Sequence, residues 1–432
     1  MTPAARISAA IEVLADIETR RRPASDALKD WGLSHRFAGS GDRAAIAGLV
    51  YDALRRRASS ASVMGEATPR ANILGMLRLE RKLDVDGIAA LFSGARFAPE
   101  PMSDTERERV ASASLDGAAP HIAGDYPEWL DASFATVFGE ARTEELAALA
   151  ERAPLDLRVN TLKAEREKVS AELSEYNPQN TDWSPLGLRI RVAPDAKSPA
   201  IQSEPDFIKG GIEIQDEGSQ LAALFSAARP GEQVVDLCAG AGGKTLALAA
   251  LMENTGQIFA TDTDKRRLSP IHARLERAGV RNVQVRTPRG AAETLDDLKG
   301  AIDLVLIDAP CTGTGSWRRN PDAKWRMRPG ALEIRQKDQA AVLDRAVPLL
   351  KPDGRIAYIT CSVLDEENGA QIRAFLGRHP AFSVEKPDQV AAVLGERGYL
   401  FAKAALISAE GLLMTPRRTG TDGFFVSVLR QT

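Results

Sequence analysis

The spacing of apolar residues predicts helices over the first third of the chain. From Ile7 to Ile17, and again from Ile46 to Leu54, apolar residues recur at every third or fourth position. This period gives each helix one apolar stripe, which packs against neighbouring helices. The pattern therefore predicts an all-α domain over residues 1 to 145.

After residue 229 the pattern changes to short apolar runs that alternate with helical segments such as Lys244 to Met252 and Lys265 to Ala278. The predicted strands are Gln233 to Leu237, Gln257 to Thr261, Val283 to Arg286, Asp303 to Ile307 and Arg355 to Thr360. Such strands join through right-handed crossovers and form a parallel sheet with helices on both faces. Residues 229 to 432 are thus predicted to form a doubly wound, Rossmann-like α/β domain, closed by an antiparallel hairpin between Gly411 and Leu429.

Residues 146 to 228 lie between these regions and have a mixed character. The β-prone pieces Leu157 to Leu162 and Leu188 to Val192 stand among prolines and other turn residues. We predict a small mixed α/β domain here. The chain is thereby divided into three predicted domains, at 1 to 145, 146 to 228 and 229 to 432.

Composition and charge exclude several classes of protein. The 432 residues carry 56 lysines and arginines against 59 aspartates and glutamates, so the chain as a whole lacks the basic charge of a nucleic-acid-binding protein. The three cysteines are widely spaced and the four histidines show no ligand spacing, which argues against a disulfide framework and a metal site. No apolar run reaches the length of a membrane span, about 18 residues. We expect a monomeric protein of the reducing cytoplasm that binds neither metal nor membrane.

A glycine-rich turn, Asp236 to Thr245, joins the first predicted strand of the α/β domain to its helix. Ligands of open α/β sheets bind at such strand ends, where glycines let them approach the backbone. Cys238 stands where a Walker loop needs glycine, and Thr245 where a dinucleotide fingerprint needs glycine or alanine. Asp262 ends the next strand and suits a ribose diol. These features favour S-adenosylmethionine, and a purely structural turn is the alternative.

Two cysteines follow predicted strands of the same sheet. Cys311 lies in the segment Asp308 to Gly315, and Cys361 lies in Thr360 to Ser362. Because these strands should be neighbours about 4.8 Å apart, both thiols are expected to face one pocket. A lone cysteine is more often a small buried apolar residue, and we assign that role to Cys238.

A thiolate beside a methyl donor fits the chemistry of cytosine. Carbon 5 of cytosine is a poor nucleophile until a thiolate adds at carbon 6. The run Asp365-Glu366-Glu367 is predicted to begin a helix whose amide dipoles would favour that thiolate at Cys361. The second thiol can then assist removal of the carbon 5 proton and elimination. Asp308 is the candidate for a hydrogen bond to the cytosine edge, with Lys244 nearby.

These motifs resemble those of the Nop/Sun family of RNA cytosine carbon-5 methyltransferases. The resemblance covers residues 155 to 430. Besides the glycine turn it includes Leu157 to Lys163, Gln215 to Gln220, Asp308 to Gly315, Arg319 to Trp325 and Thr360 to Ser362. It implies a class I S-adenosylmethionine-dependent methyltransferase fold and formation of 5-methylcytosine in RNA.

The resemblance also implies roles for individual residues. Cys361 would be the nucleophile and Cys311 the cysteine that releases the product, whereas the DNA-modifying relatives attack from a Pro-Cys like Pro310-Cys311. Asp308 and Lys244 would complete the catalytic set. The residues that would line the cofactor site are Cys238, Ala239, Gly240, Ala241, Gly242, Gly243, Lys244, Asp262 and Asp308.

Two positions depart from the family pattern. Gly240-Ala241 stands where the family usually has Ala-Pro, which should loosen the turn without removing its backbone donors. Arg289 stands where a further acid often contacts the cofactor base, so that contact is not carried over.

The N-terminal region, especially Gly41 to Arg57, resembles the NusB-like domain of bacterial ribosomal RNA methyltransferases. This implies that residues 1 to 145 and 146 to 228 bind RNA. Basic residues outnumber acidic ones from Lys265 to Gly330, which favours a phosphate backbone as partner. The predicted RNA contacts, which combine charge with a stacking surface, are Arg318, Arg319, Lys324 and Trp325. The alternative is a solvated loop whose tryptophans anchor it to the core.

The leading hypothesis is an enzyme that forms 5-methylcytosine in structured RNA, with small-subunit ribosomal RNA as the expected substrate and S-adenosylmethionine as the cofactor. A non-catalytic, RNA-binding ribosome assembly factor on a methyltransferase scaffold is the alternative. The presence of both Cys311 and Cys361 argues against it. A small-molecule methyltransferase would not explain the basic segment and the helical domain.

Overall fold

The chain forms two units in the computed structural model, which describes residues 1–193, 199–288 and 295–431. The first, called the helical unit, consists mainly of Met1–Ala153 and Trp317–Met327. The second, called the sheet unit, consists mainly of Pro154–Arg191, Pro199–Ser316 and Arg328–Thr432.

The apolar stripes of the N-terminal region form helices, as predicted. Ile7 and Ile46 are buried in one apolar core. Thr2 caps the first helix by accepting a hydrogen bond from a backbone amide, and Ser103 forms a capping box with Glu106. The α-helices of this unit are Pro3–Arg20, Ala24–Ser34, Ser40–Arg55, Arg57–Met64, Pro69–Leu79, Val85–Leu91, Asp104–Ala111, Pro120–Ala123, Asp131–Phe138, Arg142–Ala150 and Ala323–Arg326.

A small antiparallel sheet begins the sheet unit. Its strands are β1 (Leu155–Val159), β2 (Gln179–Asn180), β3 (Gly187–Ile190) and β4 (Ile212–Ile214), in the order β2-β3-β1-β4. The α-helices Arg166–Glu172 and Pro205–Ile208 accompany it. Arg189 on β3 forms two hydrogen bonds of 2.7 Å with Asp156 on β1, which joins the two strands by an ion pair. This region therefore contains both strands and helices, as the sequence pattern predicted.

The main sheet has the predicted doubly wound form. Its strands are β5 (Gln233–Asp236), β6 (Gln257–Ala260), β7 (Val283–Val285), β8 (Ile302–Asp308), β9 (Leu350–Thr360), β10 (Phe382–Val384), β11 (Leu406–Ile407), β12 (Leu412–Met414) and β13 (Phe424–Gln431). The order is β11-β12-β13-β9-β8-β5-β6-β7, and β10 also pairs with β13. The path from β7 to β9 is parallel, whereas β13 runs antiparallel to β9.

Helices accompany this sheet. Its α-helices are Glu217–Phe225, Gly243–Leu251, Lys265–Leu268, Ile271–Ala278, Pro329–Ala346, Gly369–Arg378, Pro387–Ala391, Gly398–Ala404 and Pro416–Thr419.

Two details of the sequence-based prediction are wrong. The helix predicted from Lys265 to Ala278 is divided at Pro270 into two helices, because proline has no backbone N–H to continue the ladder. The closing strands β12 and β13 are antiparallel as expected, but the short helix Pro416–Thr419 lies between them.

The order of the strands brings the candidate site residues to one edge of the main sheet. β5, β6, β8 and β9 are parallel neighbours, so their carboxyl ends lie along the same side of the sheet. Ligands of open α/β sheets bind on that side. The glycine turn, Asp262, Cys311 and Cys361 all follow these strand ends.

Candidate active site

The glycine turn leaves strand β5 and enters the helix Gly243–Leu251. Gly240 and Gly242 have left-handed backbone angles, with φ of 50° and 85°. A Cβ at Gly242 would lie 2.6 Å from the Ile271 side chain, so the turn needs glycine there for space as well as for conformation. The turn is intact although Gly240-Ala241 differs from the Ala-Pro of the family pattern, since Gly240 donates its N–H to Asp262 at 2.9 Å.

Asp262 lies at the end of β6 and is 2% exposed. One carboxylate oxygen accepts the Gly240 N–H, and the other accepts the Asp264 N–H at 2.9 Å. The Arg267 guanidinium lies 3.6 Å from the same carboxylate. Each carboxylate oxygen can accept more than one hydrogen bond. Asp262 therefore fits the role of acceptor for two ribose hydroxyls.

Asp236 supplies a further buried carboxyl group in the wall of the turn. Burial raises its pKa to about 7, although a hydrogen bond of 2.7 Å from the Thr245 hydroxyl opposes the shift. Its second oxygen, Oδ1, has no hydrogen-bond partner among the described residues. A buried acceptor without a partner in the wall of the turn fits a site for a cofactor that carries positive charge, as S-adenosylmethionine does.

Lys244 and Asp308 form an ion pair with 2.7 Å between Nζ and Oδ2. The Lys244 side chain is 6% exposed, and its ammonium also lies over the Phe424 ring at 5.2 Å. The Asp308 side chain is 35% exposed, so it reaches the open part of the site. The lysine thus orients a carboxylate that a substrate can contact.

The two predicted reactive cysteines lie together. The Sγ atoms of Cys311 and Cys361 are 3.3 Å apart, and both residues are partly exposed. The hydrogen bond to Cys361, burial, and the negative charge of Cys361 and Glu367 raise the pKa of Cys311 well above its ordinary value. Cys238, in the glycine turn, has a thiol whose pKa is raised by burial, which fits its predicted packing role.

Sequence reasoning missed the part that Glu367 plays. The run of three acids predicted the start of a helix, but Asp365–Glu367 forms a 3₁₀ turn and the α-helix begins at Gly369. Glu367 is fully buried, and its carboxylate contacts Thr312, the residue after Cys311. The position of the acidic run, just after Cys361, was the available signal.

Two of the predicted RNA contacts are buried in the helical unit. Lys324 is 2% exposed, and its ammonium donates to the backbone oxygens of Arg55 at 3.0 Å and Asp125 at 2.6 Å. Arg318 is also buried, and its backbone oxygen accepts from Arg55 at 3.0 Å. The assignment of Lys324 and Arg318 as phosphate contacts is therefore wrong, because neither side chain is offered to solvent.

The tryptophans of this segment anchor it, as the alternative hypothesis stated. Trp317 packs edge-on against Phe134 with ring centroids 5.9 Å apart. Trp325 donates its indole N–H to the Leu54 backbone oxygen at 2.7 Å and remains half-buried. Arg319 is also half-buried. An RNA contact by Arg319 or Trp325 stays a prediction.

Arg289, where a family acid is missing, lies outside the described residues. Within 1–193, 199–288 and 295–431, no group of three or more His, Cys, Asp or Glu side chains could hold a metal ion. No helix in those ranges has the length and apolar character needed to cross a membrane.

A glycine turn with a ribose-type acid, at the carboxyl edge of a sheet of this order, defines a class I methyltransferase that uses S-adenosylmethionine. Residues 223–430 match the model of the RsmB/F 16S rRNA methyltransferases. Residues 126–196 match the model of the ferredoxin-like domain of the same group. The chain belongs to the RsmB/F family of ribosomal RNA small subunit methyltransferases, and S-adenosylmethionine is its cofactor.

Individual relatives agree with this membership. A probable ribosomal RNA small subunit methyltransferase B of Synechocystis is 33% identical over 313 residues, which are 71% of this chain and 67% of the relative. A ribosomal RNA small subunit methyltransferase B of Sodalis glossinidius is 31% identical over 354 residues, or 82% and 73% of the two chains. The crystal structure of a methyltransferase homolog protein from Pyrococcus horikoshii is similar with a TM-score of 0.57 and 27% identity, over 72% of this chain and 98% of that one.

Proposed function

We propose that this chain transfers a methyl group from S-adenosylmethionine to carbon 5 of a cytosine in small-subunit ribosomal RNA, through a covalent bond between Cys361 and carbon 6 of the base. The observation that carries the proposal is the 3.3 Å separation of the Cys311 and Cys361 sulfurs. The site also holds the half-exposed Asp308 carboxylate. Membership of a ribosomal RNA methyltransferase family supports the RNA substrate.

The residues of the glycine turn and Asp262 would bind and orient the cofactor. Asp262 would accept the ribose hydroxyls, and the glycines of the turn would let the cofactor approach the backbone. The bound cofactor supplies an electrophilic methyl group. Asp308, held by Lys244, accepts a hydrogen bond from the amino edge of the cytosine and fixes the ring beside the cysteines.

Cys361 begins the reaction on the base. Its thiolate adds to carbon 6, and the electron pair displaced from the ring makes carbon 5 nucleophilic. Once carbon 5 carries the methyl group, its proton must leave so that the ring double bond can reform and expel Cys361. Cys311 is the base that accepts this proton.

The contact between the two sulfurs explains how Cys311 changes role. Before attack, the hydrogen bond to Cys361 is the first of the effects that raise the pKa of Cys311, so Cys311 remains a thiol. When Cys361 becomes bonded to carbon 6 it loses its negative charge. The hydrogen bond to Cys361 and the charge of Cys361, which both raised the pKa of Cys311, are then gone. Burial and the charge of Glu367 remain, so Cys311 ionises more readily than before the attack and is a strong base once ionised.

The accessory regions are proposed to bind the RNA. The antiparallel sheet β1 to β4 and most of the helical unit precede the catalytic residues in the sequence. Arg319 and Trp325 are the candidate contacts that keep partial exposure. A reducing cytoplasm would keep Cys311 and Cys361 as thiols.

Bisulfite sequencing tests the product. Small-subunit ribosomal RNA from cells that lack the gene should lose one protected cytosine, and the purified enzyme with tritiated S-adenosylmethionine should restore it. The Cys361→Ala enzyme is the matched control and should restore nothing. Methyl transfer to a position other than carbon 5 would contradict the proposed chemistry, and no transfer at all would favour a non-catalytic assembly factor.

A further inference from the structure

Glu367 and Gln339 contact the two residues that flank Cys311 in the chain. The Glu367 carboxylate accepts the Thr312 N–H at 2.8 Å and also the Thr312 hydroxyl. Gln339, on the helix Pro329–Ala346, donates from Nε2 to the Pro310 backbone oxygen at 2.9 Å and to Glu367 at 3.0 Å. The residues before and after Cys311 are therefore both held by one pair of side chains.

The hydrogen bonds of Glu367 fit its ionised form. Glu367 and Gln339 are both fully buried. Burial raises the pKa of Glu367, while hydrogen bonds from Ser362, Thr312 and Gln339 oppose the shift. No lysine or arginine among the described residues forms an ion pair with Glu367. Its negative charge is therefore balanced by neutral donors only, and it acts on the titratable groups around it.

Those groups are Cys311 and Tyr358. Tyr358 donates its hydroxyl to the Glu367 backbone oxygen at 2.7 Å, and its pKa is raised mainly by burial. Cys311 feels the charge of Glu367 in addition to its contact with Cys361. A fixed negative charge disfavours a second one nearby.

We propose that Glu367 is a positioning residue for Cys311: its carboxylate fixes the backbone of Cys311 against Cys361 and keeps Cys311 as a thiol, which leaves the attack to Cys361. The inference rests on the proposed function for the meaning of attack. It concerns a property of the two thiols that can be measured without RNA or cofactor.

Alkylation of the full chain tests the inference. Iodoacetamide reacts with thiolates, and mass spectrometry of the Cys311 and Cys361 peptides gives a rate for each cysteine as a function of pH. In the wild-type protein, alkylation of Cys311 should need a higher pH than alkylation of an ordinary thiol, whose pKa is about 8.5. In Glu367→Gln, which keeps the size of the side chain but not its charge, Cys311 should react about tenfold faster at a pH below its midpoint.

Thr312→Val is the matched control. It removes the hydroxyl that donates to Glu367 but leaves the carboxylate charge in place. The pH profile of Cys311 should therefore stay close to that of the wild type. If Glu367→Gln leaves the Cys311 profile unchanged, or if Thr312→Val moves it by the same amount, the inference is overturned.

A second variant covers the case in which Glu367→Gln does not fold. Glu367→Asp keeps the charge but moves it one methylene away. The pH profile of Cys311 alkylation should therefore shift in the same direction as in Glu367→Gln, by a smaller amount. An unchanged profile in this variant overturns the inference. The proposed function would still stand, because methyl transfer and the covalent bond to RNA are measured separately.

Discussion

The sulfurs of Cys311 and Cys361 lie 3.3 Å apart at the ends of the neighbouring strands β8 and β9. This contact is the first of the effects that raise the pKa of Cys311. It gives Cys311 a different environment from that of an ordinary thiol. We therefore expect replacement of each cysteine to block a different step of the reaction.

Cys311→Ser should still form the bond to RNA and accept the methyl group but should release the product slowly. A serine hydroxyl is too weak an acid to supply the base that a thiolate can provide. A complex of protein and RNA that survives denaturing electrophoresis should therefore accumulate.

Cys361→Ser should give neither complex nor product, and the double variant should behave like Cys361→Ser because attack precedes release. The reverse result, with a complex only in Cys361→Ser, would exchange the two roles. Absence of a complex in all three variants would remove the main support for covalent catalysis.

Asp262→Ala should weaken binding of S-adenosylmethionine. The carboxylate is placed to accept two hydroxyl hydrogen bonds, each worth about 1.5 to 3 kcal/mol when the acceptor is charged. Titration calorimetry should show a loss of affinity of about tenfold or more. Asp264→Ala is the matched control, since its carboxylate is exposed and caps a short helix instead. Equal affinity in Asp262→Ala and wild type would exclude Asp262 from the cofactor site.

The fold and the paired cysteines could be predicted from the sequence because both depend on local patterns. Short apolar runs place β8 and β9, and parallel neighbours must bring their carboxyl ends together. Cys311 and Cys361 follow those ends, so their proximity follows from strand order.

The burial of Lys324 and Glu367 could not be predicted in the same way. Lys324 stands in a segment rich in arginine, which indicates a solvated loop, but its partners are the distant backbone oxygens of Arg55 and Asp125. Glu367 ends a run of three acids, a pattern that predicted the first turn of a helix. Its burial depends on Thr312 and its neighbours on another strand end. Long-range contacts of single polar groups leave no periodic signal.

Asp308→Asn should destabilise the sheet unit by leaving the buried Lys244 ammonium without its carboxylate partner. We expect a loss of about 2 kcal/mol in the free energy of unfolding, below the range for fully buried pairs because Asp308 is partly exposed. Lys244→Met combined with Asp308→Asn should recover most of that loss. Urea denaturation measures all three proteins.

The exposed pair Lys299 and Asp296 provides the control for this cycle. Their side chains are 59% and 58% exposed, so Asp296→Asn should change stability by less than about 0.5 kcal/mol. If Asp308→Asn lowers the free energy of unfolding by no more than Asp296→Asn does, the contact between Lys244 and Asp308 does not stabilise the site.

Lys324 should make the stability of the protein depend on pH. Burial lowers the pKa of Lys324 to about 7, whereas an unfolded lysine titrates near about 10.4. Between these values the unfolded chain binds a proton that the folded chain does not, so this residue makes stability rise with pH and has a constant effect below about pH 7. From pH 7 to pH 9 the free energy of unfolding of the wild type should rise by about 2 kcal/mol more than that of Lys324→Met, as measured by urea denaturation. Lys299→Met, which removes an exposed lysine, should run parallel to the wild type over the same range. Parallel curves for Lys324→Met as well would mean that Lys324 stays charged when it is buried.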